Sequence, residues 1–450
     1  MSVNHTHDAA LRSWVPSANT PGHDFPIQNL PFCLFRRKGS HEQPRGGVAI
    51  GDAVFDLAAA HATRIFDGKA VEAAHACSLP TLNTFLALGR AHASALRDQL
   101  SLFLRETDAS RPRDPRVAEL LLAPASEVEL FVPATIGDYT DFYASIHHAT
   151  NVGRMFRPDA PLLPNYKWIP IGYHGRASSV LVSDQPIRRP FGQMKAPDAK
   201  QPVFGPCRML DYEVEIGAFV GVGNALGTPI TLDEAERHIL GLCLLNDWSA
   251  RDVQSWEYQP LGPFLAKSFA TTVSPWIVTL DALEPFRAPL AARAADDPQP
   301  LPYLDSPANR ARGAFDITVD VRVRTARMRE AGVDAVRVSR ARATELYWTL
   351  AQMVTHHTSN GCNLRPGDLI ASGTVSNEPD GTWGSLLELT LRGQRPLTLS
   401  SGETGSGETR GFLEDGDEVI LSGFCEREGH ARIGFGDCRG IVQPAVPPAA

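Results

Sequence analysis

At 450 residues the chain is too long for one ordinary hydrophobic core, so two domains are expected, one of them large. Charged residues make up 21% and hydrophobic residues 43%, as in soluble globular proteins, and a formal net charge of -8 argues against a nucleic-acid binder, which usually shows a basic face. Seven scattered cysteines with no CxxC pair argue against a thiolate zinc site and point to reduced thiols in a cytoplasmic setting.

Met1 to Asp24 is polar and lacks an apolar h-region, so no secretory signal is expected. No apolar run approaches the ~18 residues a membrane helix needs. Val48-Ala49-Ile50 and Val54-Phe55 flank Gly51-Asp52, which predicts a tight hairpin. Pro80 to Arg105 predicts one helix, with Phe85, Leu88, Leu96, Leu100 and Phe103 near a helical period and Thr81 as its cap. The pattern breaks around Leu122 to Ala125, which places a linker between there and Pro133.

Beyond Pro133 strands and loops dominate. Thr231-Leu232-Asp233-Glu234 reads as a capping box opening a helix through Leu240. Glu284 to Pro307, rich in proline and alanine, reads as a surface excursion. Phe315, Ile317, Val319, Val321 and Val323 alternate with polar residues, which predicts a half-buried strand in an antiparallel or mixed sheet. Thr344 to His357 predicts a helix with Leu346, Leu350, Met353 and Val354 on one face and Gly361 just beyond its end. The composite is mainly β (α+β), with a small β-rich N-terminal domain over 1–130 and a large catalytic domain over 131–450.

Unusual chemistry concentrates in a few segments. Asp138-Tyr139-Thr140-Asp141-Phe142-Tyr143 is followed by His147-His148, an adjacent pair that on extended backbone points to opposite sides. In Leu210-Asp211-Tyr212-Glu213-Val214-Glu215-Ile216 the two glutamates share one strand face. Like charges side by side there are destabilising unless a cation lies between them. An apolar run, Leu242 to Leu245, leads into Asn246-Asp247-Trp248-Ser249-Ala250-Arg251-Asp252. Oxygen-only ligands of this kind suit a hard cation such as Mg²⁺ or Ca²⁺ rather than zinc. Blander readings exist for each. An E-x-E is commonly a solvated face, an N-D after an apolar run is commonly a turn, and His356-His357 suits dipole compensation at a helix end. The glycine pattern Gly221 to Gly227 fits a hairpin loop better than a phosphate cradle, because no βαβ unit surrounds it.

Taken together the segments resemble the fumarylacetoacetate hydrolase family. The match runs from Asp24-Phe25-Pro26-Ile27-Gln28-Asn29-Leu30-Pro31 through IGDYTDFY, HATNVG, GYHGRASS, NDWSARD, WEYQPLGPFLAKSF and THHTSNGCNLRPGDLIASGT to DGDEVILSGFC, nearly the whole chain. Smaller relatives lack the N-terminal domain, so its presence favours the two-domain members. The resemblance implies an SH3-like N-terminal β domain and a mixed β-sandwich/β-roll catalytic domain. It implies hydrolysis of the carbon–carbon bond of 4-fumarylacetoacetate to fumarate and acetoacetate, the last step of tyrosine and phenylalanine catabolism. It puts metal ligands on Asp141, Glu213, Glu215 and Asp247, and a second, structural cation near Lys267 and Thr271. It puts the general base on His148, its carboxylate partner on Glu388, and oxyanion and substrate donors on Arg251, Gln254 and Lys267. Further substrate contacts fall on Tyr143, Arg157, Tyr173, Tyr258 and Thr374. A homodimer acting on a small diketo acid, with no nucleic-acid or membrane partner, is implied too. The segments 284–307 and 326–341 depart from the family in detail and touch no site motif. Two rival readings are a same-fold acylpyruvate hydrolase, decarboxylase or isomerase, and a non-catalytic, metal-stapled interaction protein. The N-terminal domain and the His148–Glu388 pair argue against the first, and the retained base, lysine and tyrosines against the second.

Overall fold

Strands Arg45–Ile50 and Ala53–Asp56 pair across Gly51-Asp52 with Ile50 opposite Ala53, the hairpin the sequence predicts; Gly51 takes φ +52°, which costs a glycine nothing. The computed structural model of the protein describes residues 2–106, 115–399 and 407–447. The hairpin belongs to a five-stranded antiparallel sheet ordered Leu122–Pro124, Ala53–Asp56, Arg45–Ile50, Phe32–Arg37, Val128–Phe131. The stretch expected to be a linker therefore supplies both edge strands of this sheet, and the chain leaves it only after Phe131. Helices between residues 57 and 104 cover one face. The long helix expected over 80–105 is two, Asn83–Leu88 and Arg90–Leu104, broken at Gly89 with φ +74°. Thr81 does not cap it; Leu82 holds that position, and the Thr81 hydroxyl donates to the Asn83 side chain instead.

The core beneath these helices is continuous with the rest of the molecule. Phe32, Val48, Phe55, Leu86, Leu96 and Leu100 pack in one cluster with Phe219, Leu240, Leu245, Ile277 and Leu369. Those last residues belong to an eight-stranded mixed sheet or its loops. Its path runs Gly172–Gly175, Tyr139–Phe142, Leu369–Ala371, Val214–Val220, Ile239–Asp247, Thr271–Val273, Val180–Val182, with Val278–Thr279 also paired to Ile239–Asp247. Two pairs are parallel, Leu369–Ala371 with Tyr139–Phe142 and Thr271–Val273 with Val180–Val182. A five-stranded sheet, Val336–Arg342, Thr318–Arg324, Glu418–Cys425, Ile433–Gln443, Ile187–Arg188, lies against it. Ile216, Leu242 and Leu244 of one sheet meet Val319, Val321, Leu421 and Phe435 of the other in a single core. The fold is mainly β, α+β, with two packed sheets in the larger part.

Four local expectations need correction. The Thr231 helix stops at Ala235, passes through a 3₁₀ turn and becomes the strand starting at Ile239, because the apolar run that follows is fully buried sheet. The Thr344 helix begins only at Leu350, where Thr349 and Gln352 form a reciprocal capping box. Residues 284–307 are not wholly superficial: Glu284, Pro285, Phe286 and Leu304 are buried. The segment from Ala326 to Ala341, which the sequence reads as a turn, holds a helix, Ala326–Glu330, and most of the strand Val336–Arg342. All seven cysteines are unpaired, and no helix among the described residues is long and apolar enough to cross a membrane.

Candidate active site

Four carboxylates converge where strands of the large sheet end. Asp141 sits on Tyr139–Phe142, opposite Ala371 and Tyr173. Glu215 lies on Val214–Val220 opposite Leu245, and Glu213 just precedes that strand. Asp247 ends its strand opposite Thr271. The ligand atoms of Asp141, Glu213, Glu215 and Asp247 all lie within 4.8 Å of one another, and all four residues are buried. The E-x-E pair is thus no solvated face, and Asn246-Asp247 is strand rather than turn.

Part of this charge is neutralised by protein cations. Lys267 Nζ lies 2.5 Å from both Glu213 Oε2 and Asp247 Oδ2, and Arg251 Nη1 lies 2.6 Å from Glu213 Oε1. Burial alone would raise Glu213, but these two cations outweigh it and hold the carboxyl below its usual range. Burial would likewise lower Lys267, and Asp247 and Glu213 more than reverse it. Asp141 and Glu215 have no such partner. Burial first, then the neighbouring carboxylates, push both well above the ordinary carboxylate value. Both Glu215 oxygens and Asp141 Oδ1 are buried without any hydrogen-bond partner. Orphaned, convergent, all-oxygen donors are what a hard divalent cation needs, and the site fits one. Thr271 Oγ1 donates to Asp247 Oδ1 at 3.2 Å and Tyr173 Oη to Asp247 Oδ2 at 3.0 Å. A protonated Lys267 has no lone pair to give a second cation, which leaves Thr271 and Asp247 as the oxygen donors on that side.

A second cluster faces the first. Ser145 caps the helix Ile146–Phe156 by accepting from the His148 backbone N–H, so His147 and His148 are helical rather than extended. Adjacent helical residues diverge by about 100°. His148 turns inward and is buried, with Nδ1 2.6 Å from Glu388 Oε2; His147 turns outward, 3.8 Å from Glu345. Glu388 also accepts from Asn151, Ser376 and Ser385 at 2.9, 3.0 and 2.9 Å. Burial would raise its carboxyl, but His148 and these donors hold it below the ordinary value. The Tyr143 ring stands edge-on to His148 at 5.3 Å, and burial keeps its hydroxyl protonated. His148 and Glu213 are close enough for the imidazole to act on the Glu213 carboxyl, which joins the two clusters.

Of the remaining predicted residues, Gln254 Oε1 accepts from Arg251 Nη1 at 3.2 Å, turning its amide nitrogen outward from that bond. Thr374 follows Gly373, whose φ of +76° and close approach to the Phe142 carbonyl leave no room for a side chain. The Thr374 hydroxyl is buried without a partner, as are Arg251 Nη2 and Arg157 Nε. Arg157 closes the His148 helix and Tyr258 closes the Arg251 helix. His357, read as dipole compensation, meets the Thr140 hydroxyl at 2.8 Å. Asp211, Asn151, Ser376 and Ser385 escaped sequence reasoning; only Asp211 carried a signal, standing two residues before Glu213. A separate cavity of about 430 Å³ borders none of these residues; its Arg287 and Arg312 pair with Glu236 and Glu284 along its own lining.

The fumarylacetoacetate (FAA) hydrolase C-terminal family matches residues 138–443 and the fumarylacetoacetase N-terminal family residues 28–133. The human fumarylacetoacetase is 48% identical, with 97% of this chain and 100% of that protein covered. The fumarylacetoacetase of Oryza sativa subsp. japonica is 47% identical, covering 97% and 98%. A solved structure of an HpcE-type protein from Mycobacterium smegmatis, 19% identical, overlays with TM-score 0.50 over 92% of this chain and 99% of that one, which shows a shared fold.

Proposed function

The chain belongs to the fumarylacetoacetase family, and from that premise we propose that it hydrolyses 4-fumarylacetoacetate to fumarate and acetoacetate. The observation that carries the chemical reading is the buried four-carboxylate centre with its orphaned oxygens facing the His148–Glu388 pair. The enzyme is a carbon–carbon hydrolase of tyrosine catabolism, and the reading extends to phenylalanine, whose breakdown enters the same step. Mg²⁺ or Ca²⁺ is the proposed occupant, since the donors are all oxygen. The unpaired thiols support a cytoplasmic setting, and the family resemblance supports a homodimer.

When bound, the cation supplies Lewis-acid polarisation of the 1,3-diketone oxygens. With Nδ1 committed to Glu388, His148 has Nε2 left to take a proton from water, and Glu388 fixes the tautomer and stabilises the imidazolium. The water oxygen bonds to the carbonyl carbon of the fumaryl group. The resulting oxyanion accepts from Arg251 Nη2, the Gln254 amide and Lys267 Nζ. Breaking the bond between that carbon and the neighbouring methylene releases fumarate and an enolate, which takes back the proton held on His148 Nε2 to become acetoacetate. Tyr143, Arg157, Tyr173, Tyr258 and Thr374 position the substrate in this reading, and Thr271 serves a second cation beside Asp247 and Lys267. The test is loss of the diketonate ultraviolet absorbance of fumarylacetoacetate with added Mg²⁺ or Ca²⁺; no loss overturns the assignment.

Two variants probe single groups. Lys267→Met is expected to lower kcat/KM by roughly 10²- to 10³-fold, the usual loss for one oxyanion donor. Because Lys267 is buried between two carboxylates, the metal-stripped variant should also unfold at lower temperature, unlike a surface pair worth about 0 to 1 kcal/mol. Near-normal turnover would return the lysine to a structural role. Glu388→Gln is expected to lower kcat by roughly 10²-fold with packing kept, since the amide neither stabilises the imidazolium nor fixes its tautomer. Unchanged kcat would remove Glu388 from the mechanism.

A further inference from the structure

Asp211 is a fully buried carboxylate outside the ligand set, and all its bonding capacity is used. Oδ1 accepts the backbone N–H groups of Tyr212 and Leu386, each at 2.8 Å. Oδ2 accepts the Leu387 N–H at 2.9 Å and Arg251 Nε at 2.8 Å. Leu386 and Leu387 open the short helix Leu386–Leu389, whose next residue is Glu388. One side chain thus ties the start of the segment that presents Glu388 to the guanidinium of Arg251.

The consequence for Arg251 is geometric. A guanidinium is planar, so fixing Nε fixes the directions of both terminal nitrogens. With Nε on Asp211 and Nη1 on Glu213, Nη2 is left buried and unpartnered, as a donor waiting for an acceptor. On the Glu388 side, the two backbone bonds set where the carboxylate stands against His148 Nδ1. The proton acceptor and the oxyanion donor must meet at one carbonyl carbon, and misplacement by about 1 Å costs on the order of 10²-fold.

We propose that Asp211 is a positioning residue of the hydrolytic reaction, aligning Arg251 and the Glu388–His148 pair on the same reacting carbon. The proposal rests on the functional reading above. Asp211→Asn keeps the size of the side chain, but its amide nitrogen presents hydrogens where either a backbone N–H or Arg251 Nε needs an acceptor. It is expected to lower kcat by roughly 10- to 100-fold, with KM and the Mg²⁺ dissociation constant changed less than about threefold. In an Arg251→Gln background the same substitution should cost clearly less in kcat than in the wild type, because only the Glu388 arm is left to lose. Arg251→Lys, which keeps the charge beside Glu213 but lacks a planar fork, should lose nearly as much as Arg251→Gln. That variant reads orientation even if Asp211→Asn fails to fold. Equal losses from Asp211→Asn in both backgrounds, or near-normal kcat in Asp211→Asn or Arg251→Lys, would overturn the proposal while the hydrolase reading stands. Indifference to Arg251→Gln likewise overturns the proposal alone, whereas a wild-type protein inert toward fumarylacetoacetate overturns both.

Discussion

Stripping the divalent cation with a chelator is expected to abolish turnover, and Mg²⁺ or Ca²⁺ to restore it. The reason lies in charge balance. Asp141, Glu213, Glu215 and Asp247 bring four carboxylates within 4.8 Å, against which the protein sets Lys267 and, on Glu213, Arg251. Without the cation, Asp141 and Glu215 stay protonated well above the ordinary carboxylate range, burial being the main cause. Asp247 is raised as well, burial and the Glu213 charge outweighing the pull of Lys267. A carboxyl whose folded value is raised binds more protons folded than unfolded, so its contribution to stability falls as pH rises past about 4. Glu213, held low, works the other way and is lost as a stabiliser only when pH falls below the ordinary value. The cation binds the deprotonated carboxylates, so its stabilising effect grows with pH. The gap in melting temperature between loaded and stripped protein should therefore widen from about pH 5 to pH 8, with protons released on binding. Full activity in stripped protein, or a gap that ignores pH, would remove the cation from this centre.

How much of this was legible in the sequence depended on the range of the signal. The Glu213/Glu215 face follows from strand periodicity alone, and the alternation from Val319 to Val323 appears as buried and half-exposed positions on Thr318–Arg324. Fold class and family were readable because each rests on local runs of residues, and the resemblance those runs carry points to the four carboxylates that the fold brings together. The failures share a cause. The Leu122–Pro124 and Val128–Phe131 strands look like linker because they are short edges beside prolines, with stability that comes from partners 67 to 97 residues away. The 80–105 pattern hides a break because Gly89 keeps the apolar period while its backbone turns left-handed. Asp211 stood close to Glu213 in the chain, but its role was not legible because its partners, Arg251, Leu386 and Leu387, stand 40, 175 and 176 positions away.

His148→Ala is expected to lose roughly 10²-fold or more in kcat while the cation stays bound, and His147→Ala to remain nearly normal. Water must lose a proton near neutral pH, and histidine is the side chain whose ordinary pKa lies there. The sequence offers two candidates side by side, and the expectation that extended backbone sends them to opposite faces does not hold. Ser145 opens a helix there, and helical geometry separates the rings by about 100° instead. The separation still suffices. His148 is buried against Glu388 and Tyr143, while the His147 side chain is 29% exposed and reaches Glu345 only at 3.8 Å. His147→Ala therefore removes a weakly paired surface imidazole and tests whether any histidine in this helix would serve. Cation binding, followed by calorimetry with Mg²⁺, separates loss of the base from collapse of the neighbouring carboxylates. A dead His147→Ala beside an active His148→Ala would reverse the assignment of the base. Normal turnover in both would take histidine out of the reaction and leave the four-carboxylate centre to activate water by itself.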